Sequence, residues 1–388
     1  MLPKRTGIAQ DGFYAVERRT HENDFVRITV MKKHVVFDVS GHGFGHFVQA
    51  AAVINKLGEQ YPDVRITIRT TVAPRIVEGR IKVACDVINH STDFGMLMDS
   101  ALDVDRGKSF SRYQELHQNY EQAVIREAKL LSALKPDLLF SNVSYLSVAA
   151  AKHLGIPVVA MCSLNWADIF KGYFESTEAE SIYQQMVDSY NQANVFLCPE
   201  PSMAMPNFRN VQKIAPLSSI GGNQRDRLMQ FFPDAENVRI VLVAPGGIPT
   251  ALPVEDWPHY EDAVFVTTWG HQSQRSDMID STELSMEFID LLKSVDVVLT
   301  KPGYGTVAEA MCNHVPMMYV CRNDWPEEPF LVDWLKTFGK VLEISREQMF
   351  SGEIKAELDE LLSTSWMRPA PIANGEEQAV KIIAELVS

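Results

Sequence analysis

The chain has 388 residues, which is too long for one hydrophobic core of ordinary size and predicts two domains. Its formal net charge of −14 excludes a global basic field that would attract nucleic acid or an anionic membrane. The five cysteines are widely spaced and form no C-x-x-C pair, which favours reduced thiols in a cytoplasmic protein over disulfides or zinc.

The amino-terminal extension, residues 1–33, mixes charges and lacks the apolar centre of a signal peptide. No later stretch offers about 18 uninterrupted apolar residues, so the sequence predicts neither export nor a membrane span. Within the extension, "FVRITV" is expected either to form a short strand or to be partly disordered.

Short, almost purely apolar runs recur along the rest of the chain, and such runs are typical of strands buried on both faces of a parallel sheet. Ten are found: "HVVFDVS", "VRITIRT", "DLLFSN", "PVVAMCS", "NVFLCP", "RIVLVAP", "AVFVTTW", "DVVLTKP", "PMMYVC" and "KVLEI". Helical patterns separate them, first in "FVQAAAVINKL" and then in the long "SRYQELHQNYEQAVIREAKLLSAL". Alternating strands and helices predict an α/β fold with doubly wound sheets.

The runs divide into two sets around a segment rich in proline, glycine and asparagine, which predicts a linker at residues 201–236. The expected organisation is therefore a Rossmann-like domain at 34–200, a second at 237–365, and a carboxyl-terminal segment at 366–388. Each domain starts with an apolar strand that runs into glycines. Two such sheets facing each other would form a cleft at the carboxyl ends of their strands, where ligands of open α/β sheets bind.

The first glycine turn, "SGHGFGH", only partly matches the dinucleotide fingerprint G-x-G-x-x-G. His46 occupies the place of the third glycine, and the second strand ends in threonines where the fingerprint expects an acid. A Walker loop is excluded as well, because the "GKS" at 107–109 has Leu102 where the first glycine belongs.

The same turn suits an anion or a developing negative charge. Its glycines, among them Gly43 and Gly45, let the backbone turn tightly, and the following helix presents unpaired N–H groups there. His46 falls in the first helical turn, whose positive end opposes protonation of the imidazole and keeps it available as a base. The alternative is that the glycines only permit close packing of strand on helix and that the histidines are surface residues.

The second glycine turn, "TKPGYGTVAEA", joins an apolar strand to a helix that is expected to start near Val307. Thr306 and Glu309 match a T-x-x-E capping box, which is the simplest interpretation of this pair. A cap does not explain a lysine and two glycines at the carboxyl end of a sheet. Those residues predict a cradle for a diphosphate, with Glu309 available for a diol.

This second segment resembles the donor site of GT-B-fold glycosyltransferases, whose pattern is H-x-G-x-x-[ST]-x-x-E. Lys301 stands at the histidine of the family, Gly303 at its glycine, Thr306 at its hydroxyl residue and Glu309 at its ribose-binding glutamate. The lysine departs from the pattern but keeps a phosphate-binding cation. Downstream, the nearest match to the acid-plus-amide pair that holds the donor sugar is "EE" at 327–328, about two residues late and without the amide.

The first turn is similar to the amino-terminal glycine loop of the same superfamily, which includes the peptidoglycan lipid-intermediate N-acetylglucosaminyltransferase. Together, "SGHGFGH", "KPGYGTVAEA" and "EEPFL" are similar to the glycosyltransferase-like region that precedes the kinase domain of plant L-arabinokinases. The resemblance covers most of residues 34–345. It implies two doubly wound Rossmann-like domains across a cleft, acceptor on 34–200 and donor on 237–365, with the final helix packed back on the interface.

The resemblance implies a metal-independent, inverting transfer of a sugar from a nucleotide-diphosphate donor to an acceptor hydroxyl. UDP is the implied nucleotide, with dTDP and GDP left open, and the nucleotide sugar is a co-substrate in a reaction without a cofactor. The histidines show no metal-ligand spacing, so no metal site is expected. Partners other than the donor and a small-molecule or glycan acceptor are not indicated, nor is an oligomeric state.

In this interpretation His46 is the catalytic base. An acidic loop contains Asp93, Asp103 and Asp105, which could serve as partner of His46 or as acceptor ligands; a solvated acidic loop is the alternative. On the acceptor side, Trp166 and Phe170 could stack on a sugar ring beside His42, although buried packing explains the two rings equally well. The residues expected to contact the donor are Gly43, Gly45, Gly247, His271, Lys301, Gly303, Gly305, Thr306, Glu309, Glu327 and Glu328.

Two other functions stay open on the sequence. A non-hydrolysing UDP-sugar epimerase can use the same fold. A non-catalytic protein that binds nucleotide sugars or carbohydrates is also compatible, because "NDWPEEP" lacks the amide of the family.

Overall fold

The computed structural model describes the backbone of residues 13–16 and all atoms of 32–43, 45–99, 103–233, 237–246, 252–270, 273–322 and 324–388. The chain divides into two compact units. The first unit comprises residues up to Leu97, Val104–Ala215 and Asn374–Ser388, and the second comprises Met98–Asp103 and Pro216–Ala373.

In the described residues, the first unit contains an eight-stranded sheet in the order β1-β4-β3-β2-β5-β6-β7-β8. Its strands are β1 (Phe13–Val16), β2 (His34–Val39), β3 (Arg65–Thr70), β4 (Cys85–Asn89), β5 (Leu138–Asn142), β6 (Val158–Met161), β7 (Val195–Pro199) and β8 (Val211–Ile214). Strand β1 pairs antiparallel with β4, and the other neighbouring strands are parallel. Every residue of β2, β5 and β6 is buried, as their apolar sequences require.

The helices of the first unit are α1 (Gly45–Gln60), α2 (Pro74–Arg80), α3 (Arg106–Gln118), α4 (Tyr120–Leu134), α5 (Tyr145–His153), α6 (Trp166–Tyr173), α7 (Thr177–Tyr190) and the carboxyl-terminal α14 (Gly375–Val387). Helix α14 packs against α1 and so belongs to the first unit. In α1 the apolar residues of "FVQAAAVINKL" that recur at helical spacing, Phe47, Ala50, Ile54 and Leu57, are all buried.

The second unit contains a six-stranded parallel sheet in its described part, in the order β11-β10-β9-β12-β13-β14. Its elements are α8 (Arg225–Met229), β9 (Arg239–Val243), β10 (Ala263–Thr267), β11 (Met278–Asp280), α9 (Phe288–Ser294), β12 (Val297–Thr300), α10 (Tyr304–Cys312), β13 (Met317–Tyr319), α11 (Glu328–Phe338), β14 (Val341–Glu343), α12 (Arg346–Ser351) and α13 (Lys355–Ser363). One core cluster packs β9, β10 and β12 against Trp257 and α13.

Strand order reverses beside β2 in the first sheet and beside β9 in the second. In the first unit β2 lies between β3 and β5, and in the second β9 lies between β10 and β12. In open α/β sheets this switch point leaves a crevice at the carboxyl ends of the two central strands, where ligands bind. The glycine turns after β2 and β12, and Gly246 after β9, therefore lie at the two switch points.

Each of the ten apolar runs contains a strand, which confirms the predicted α/β class with two doubly wound sheets. Other details differ from the expectations. The range predicted as a linker, 201–236, contains β8 and α8, and the long helix predicted at 111–134 is divided into α3 and α4 at Asn119. "FVRITV" lies outside the described residues. Within the described ranges, every helix is too short or too polar to cross a lipid bilayer.

Candidate functional site

The turn after β2 leads directly into α1, which begins at Gly45. Gly43 has a φ of +72°, a conformation that glycine adopts without strain. A Cβ added at Gly43 or Gly45 would meet no described atom within 4 Å. Close packing of strand on helix therefore does not explain these two glycines, whereas Gly41 is packed tightly against Thr71.

His46 lies in the first turn of α1 and is buried, with 6% of its surface exposed. In the described residues, the hydrogen-bond contacts of its ring are at Nδ1, 3.0 Å from Asn142 Oδ1 and 3.5 Å from Cys162 Sγ. Burial lowers the pKa of His46 to about 4, although the hydrogen bond with Asn142 acts in the opposite direction. The imidazole is thus neutral near pH 7, for a reason other than the helix end that the sequence suggested.

Among the described residues of the acidic loop, neither Asp103 nor Asp105 contacts the His46 ring. Asp105 is the N-cap of α3, where its carboxylate accepts a hydrogen bond of 2.9 Å from the Lys108 backbone N–H. Asp103 lies in the second unit, with its carboxylate 3.5 Å from the Arg346 guanidinium. The partner of the His46 ring nitrogen is therefore an amide, Asn142, and not one of the predicted aspartates.

The third aspartate of this loop, Asp93, is connected to the two histidines by the side chain of Trp166. Its two carboxylate oxygens accept hydrogen bonds from Ser40 Oγ at 2.7 Å and from Trp166 Nε1 at 2.9 Å. The Trp166 ring is centred 4.9 Å from the His42 ring and 5.3 Å from the His46 ring. Burial raises the pKa of Asp93 to about 6. Asp93 thus fixes the indole that packs on both histidines.

The two predicted acceptor-stacking rings are fully buried. Phe170 packs against the rings of Phe110, Tyr113 and Phe174, so the packing alternative describes it. Trp166 packs against the rings of His42 and His46 and has no exposed face on which a sugar could stack. The alternative of buried packing therefore describes both Trp166 and Phe170. Aromatic residues that follow a buried strand fill the core between sheet and helices.

Gly95 permits this close arrangement of rings, and its replacement by alanine is expected to be costly. A Cβ at Gly95 would lie 2.7 Å from atoms of both His42 and Trp166, and φ is +60°. We expect Gly95→Ala to lower the free energy of unfolding by about 2–4 kcal/mol, measured by urea denaturation. Gly155→Ala is the control, because Gly155 has φ +71° but no atom within 4 Å, and it should lose only about 1–2 kcal/mol. Equal losses in the two variants would contradict the steric account.

In the second unit, α10 begins at Tyr304, and its N-cap is Gly303 without a side-chain cap. Thr306 therefore lies inside the first helical turn, together with Gly305, and the predicted T-x-x-E capping box is wrong. The sequence predicted a start near Val307, three residues after the observed one, because glycines at the N-cap and in the first turn have low helix propensity. The N–H groups of residues 304–306 have no acceptor within the helix and point out of its amino terminus.

Lys301 extends beside this helix terminus and beside the turn after β9. A Cβ added at Gly246, whose φ is +107°, would lie 3.0 Å from Lys301 Cε, and one added at Gly303 would lie 3.8 Å from Lys301 Nζ. Burial, reinforced by the charge of Arg322, lowers the pKa of Lys301 to about 7. The amine thus lies among two glycine turns and a helix amino terminus, where an anion is favoured.

Arg322, which sequence reasoning missed, adds a second cation next to Lys301. Its Nη2 lies 3.4 Å from the Pro302 carbonyl oxygen, and its Nε lies 3.4 Å from the Glu328 carboxylate. The guanidinium also lies over the Trp325 ring, 4.6 Å from its centre. The sequence signal for Arg322 was a cation directly after the apolar run "PMMYVC". This run contains β13, whose neighbour β12 leads to Lys301.

The predicted glutamates are buried near this cation. Glu327 accepts a hydrogen bond of 3.1 Å from Trp325 Nε1, and burial raises the pKa of Glu328. Glu309 is buried on α10. The structure thus brings Lys301, Glu327 and Glu328 together, whereas Gly247 and His271 lie outside the described residues. In the described part of the chain, no three His, Cys, Asp or Glu side chains are grouped as metal ligands.

The chain matches no known protein-family profile. Among solved structures, it is similar to the glycotransferase of kitacinnamycin, at 16% identity and a TM-score of 0.61, over 92% of this chain and 99% of that one. It is also similar to a UDP-glucosyltransferase from Polygonum tinctorium, at 13% identity and a TM-score of 0.55, over 93% and 99% of the two chains. The chain has the GT-B fold.

The GT-B fold also accounts for the resemblance seen in the sequence. The chain is 27% identical over 387 residues to an L-arabinokinase of Arabidopsis thaliana, which corresponds to 95% of this chain and 36% of that protein. It thus spans about a third of the length of this relative. The aligned region contains both glycine turns, which in this GT-B chain lie at the switch points of the two sheets.

Proposed function

We propose that this protein is a glycosyltransferase that moves a sugar from a UDP-sugar donor to an acceptor hydroxyl, with inversion and without a metal ion. The observation that carries the proposal is the glycine turn at the start of α10, with Lys301 beside it. Since the N-cap of α10 is Gly303, which has no side chain to cap the helix, the N–H groups at the amino terminus of α10 can donate to a ligand.

In this proposal the second unit binds the donor. The N–H groups at the start of α10 hold the diphosphate, and the cations Lys301 and Arg322 neutralise its charge. The same groups stabilise the negative charge that builds on the diphosphate as the sugar leaves, which is the largest single contribution in such reactions. Glu309 binds the ribose hydroxyls, and Glu327 and Glu328 contact the donor sugar.

The first unit binds the acceptor. His46 is neutral near pH 7 and lies at the switch point of the first sheet, so it can take the proton of the acceptor hydroxyl as that oxygen attacks the sugar. Attack on the face of the sugar opposite the diphosphate gives inversion. The open space beside Gly43 and Gly45 leaves room for the acceptor.

The choice of UDP is supported by the names of structural neighbours. They include a UDP-glucosyltransferase, a Phytolacca americana UGT2 complexed with UDP-2-fluoro-glucose, and an S. aureus MnaA–UDP co-structure. These proteins are 12–13% identical to this chain and share its fold. UDP as the donor nucleotide of this chain is part of the proposal.

A thermal-shift panel of UDP, dTDP, GDP and their sugars tests the donor, because a ligand that binds only the folded state stabilises it by about 2.7 kcal/mol at 100 times its Kd. UDP compounds should give the largest rise in Tm. Glu309→Ala should weaken UDP binding about tenfold, since it removes the carboxylate that accepts hydrogen bonds from the ribose hydroxyls. Glu360→Ala, at an exposed position of α13, is the matched control.

The outcomes separate the functions. Transfer of the sugar to an acceptor supports the proposal. A donor converted to an isomeric nucleotide sugar without any acceptor would show an epimerase. Tight binding without turnover would show a binding protein, and the absence of any nucleotide shift would contradict the donor site itself.

A further inference from the structure

A chain of four polar side chains runs under the first glycine turn and ends at His46. Asn142 Oδ1 lies 3.0 Å from His46 Nδ1, Asn142 Nδ2 donates to Gln49 Oε1 at 3.2 Å, and Gln49 Nε2 donates to Ser163 Oγ at 3.0 Å. Asn142, Gln49 and Ser163 are each at most 1% exposed. Water cannot compete for these hydrogen bonds, which are therefore stronger than they would be at the surface.

The fold brings these residues together at one edge of the sheet. Asn142 is the last residue of β5, which neighbours β2 at the switch point. Gln49 follows His46 by three residues on α1, so both side chains lie on the same helix face. Ser163 comes just after β6, the other neighbour of β5.

The chemistry of the two side-chain amides gives this series of hydrogen bonds a single direction. An amide oxygen can only accept a hydrogen bond, so a histidine nitrogen that faces Asn142 Oδ1 must carry the proton. Cys162 Sγ, 3.5 Å from the same nitrogen, can also accept weakly from it. Reversing both amides would need the Ser163 hydroxyl to donate to Gln49, and it would place the proton of His46 on Nε2.

We propose that Asn142, oriented by Gln49 and Ser163, is the positioning residue that holds the proton of His46 on Nδ1 and leaves Nε2 as the proton acceptor. This inference rests on the proposed role of His46 as a base. A neutral amide does so without a negative charge next to the ring, so the imidazole is not stabilised in its protonated form as it would be by a carboxylate.

In the proposed reaction one proton and one sugar residue are transferred. The acceptor hydroxyl gives its proton to His46 Nε2 while its oxygen forms a bond to the anomeric carbon of the sugar. The bond between that carbon and the diphosphate oxygen breaks, and its electron pair leaves with the diphosphate. His46 subsequently returns the proton to water.

The first test needs no substitution and no substrate. Long-range ¹H–¹⁵N spectra of histidine-labelled protein near pH 7 distinguish the two neutral tautomers, and His46→Ala assigns the His46 signals. We expect the proton of His46 on Nδ1. A proton mainly on Nε2 would overturn the proposal, whatever the activity of the protein.

Two variants then test the role of the amide. Asn142→Asp places a negative charge against Nδ1 and should raise the pKa of His46 by about 1–3 units, and the acidic limb of the kcat–pH profile should move by the same amount. Gln49→Leu frees Asn142 to rotate, so both tautomers should be seen, with a lower kcat and an unchanged KM. Ser147→Ala, buried on α5 outside the chain of amides, is the control and should change none of these.

An unchanged His46 titration in Asn142→Asp, or a single unaltered tautomer in Gln49→Leu, would also overturn the proposal. The spectra do not depend on turnover, so they separate this inference from the proposed function. The expected tautomer together with full activity of a His46 variant would leave Asn142 as the residue that positions His46 and would reject His46 as the base.

Discussion

Replacing His46 with alanine is expected to lower kcat by about 10²–10⁴-fold and to leave the affinity for UDP unchanged. The reason is that a positioned base contributes mainly to proton transfer in the transition state, whereas His46 belongs to the first unit and UDP is assigned to the second. Initial rates with a saturating donor, together with calorimetric titration of UDP, measure the two quantities on the same protein.

The pH profile gives a second readout of the same residue. A base must be unprotonated, so activity should rise with pH through the pKa of His46 and then reach a plateau. Since burial lowers that pKa to about 4, the wild-type plateau should already be complete near pH 6. His153→Ala, at an exposed histidine at the end of α5, is the control for removal of an imidazole. Equal turnover in wild type and His46→Ala would refute the role.

Most of the strands that the sequence identified are buried on both faces, although β14, found from "KVLEI", is partly exposed. β2, β5 and β6 are mostly apolar and fully buried, and their few polar residues do not alternate with apolar ones. The missed strands have a weaker signature, because β4 alternates buried and partly exposed residues, β8 is exposed at three of its four positions, and β11 has only three residues. Their pairing to a neighbouring strand determines them more than their own composition does.

Helix boundaries were less predictable for a local reason. The periodic pattern continues through Asn119, yet the chain there has a φ of −128° and separates α3 from α4. At α10, glycines at the N-cap and in the first turn made the helix appear to start at Val307. Glycine lowers helix propensity by about 1 kcal/mol relative to alanine, so pattern and propensity disagree at such a helix start.

The two glycine turns and His46 could be found from the sequence, since local chemistry defines them. The partner of His46 could not, because Asn142 is 96 residues away and reaches Nδ1 only through the order of β2 and β5. The sequence instead favoured aspartates in a nearby loop. A polar residue at the end of an apolar strand, as in "DLLFSN", was the signal that could have identified Asn142.

Substitution of Lys301 is expected to have the largest effect on donor binding. Lys301→Met keeps the length and apolar stem of the side chain but removes the charge, and it should weaken UDP binding by about 10–100-fold, the range of a charge-assisted hydrogen bond. Lys336→Met, on the exposed face of α11, is the matched control and should bind UDP like the wild type.

The pH dependence of UDP binding separates the charge of Lys301 from a merely structural role. The pKa of this amine is about 7 without ligand, so it loses its charge as the pH rises through that value. The diphosphate favours the charged form, hence binding takes up a proton, and the wild-type affinity should fall by up to tenfold per pH unit above pH 7. Lys301→Met has no such proton to gain, so its affinity for UDP should not change with pH above pH 7. Lys301→Arg is always charged, so its affinity should also be independent of pH, but it should bind UDP more tightly than Lys301→Met. Parallel profiles in wild type and Lys301→Met would contradict the contact, because a lysine that only packs between Gly246 and Gly303 would not link proton uptake to the nucleotide.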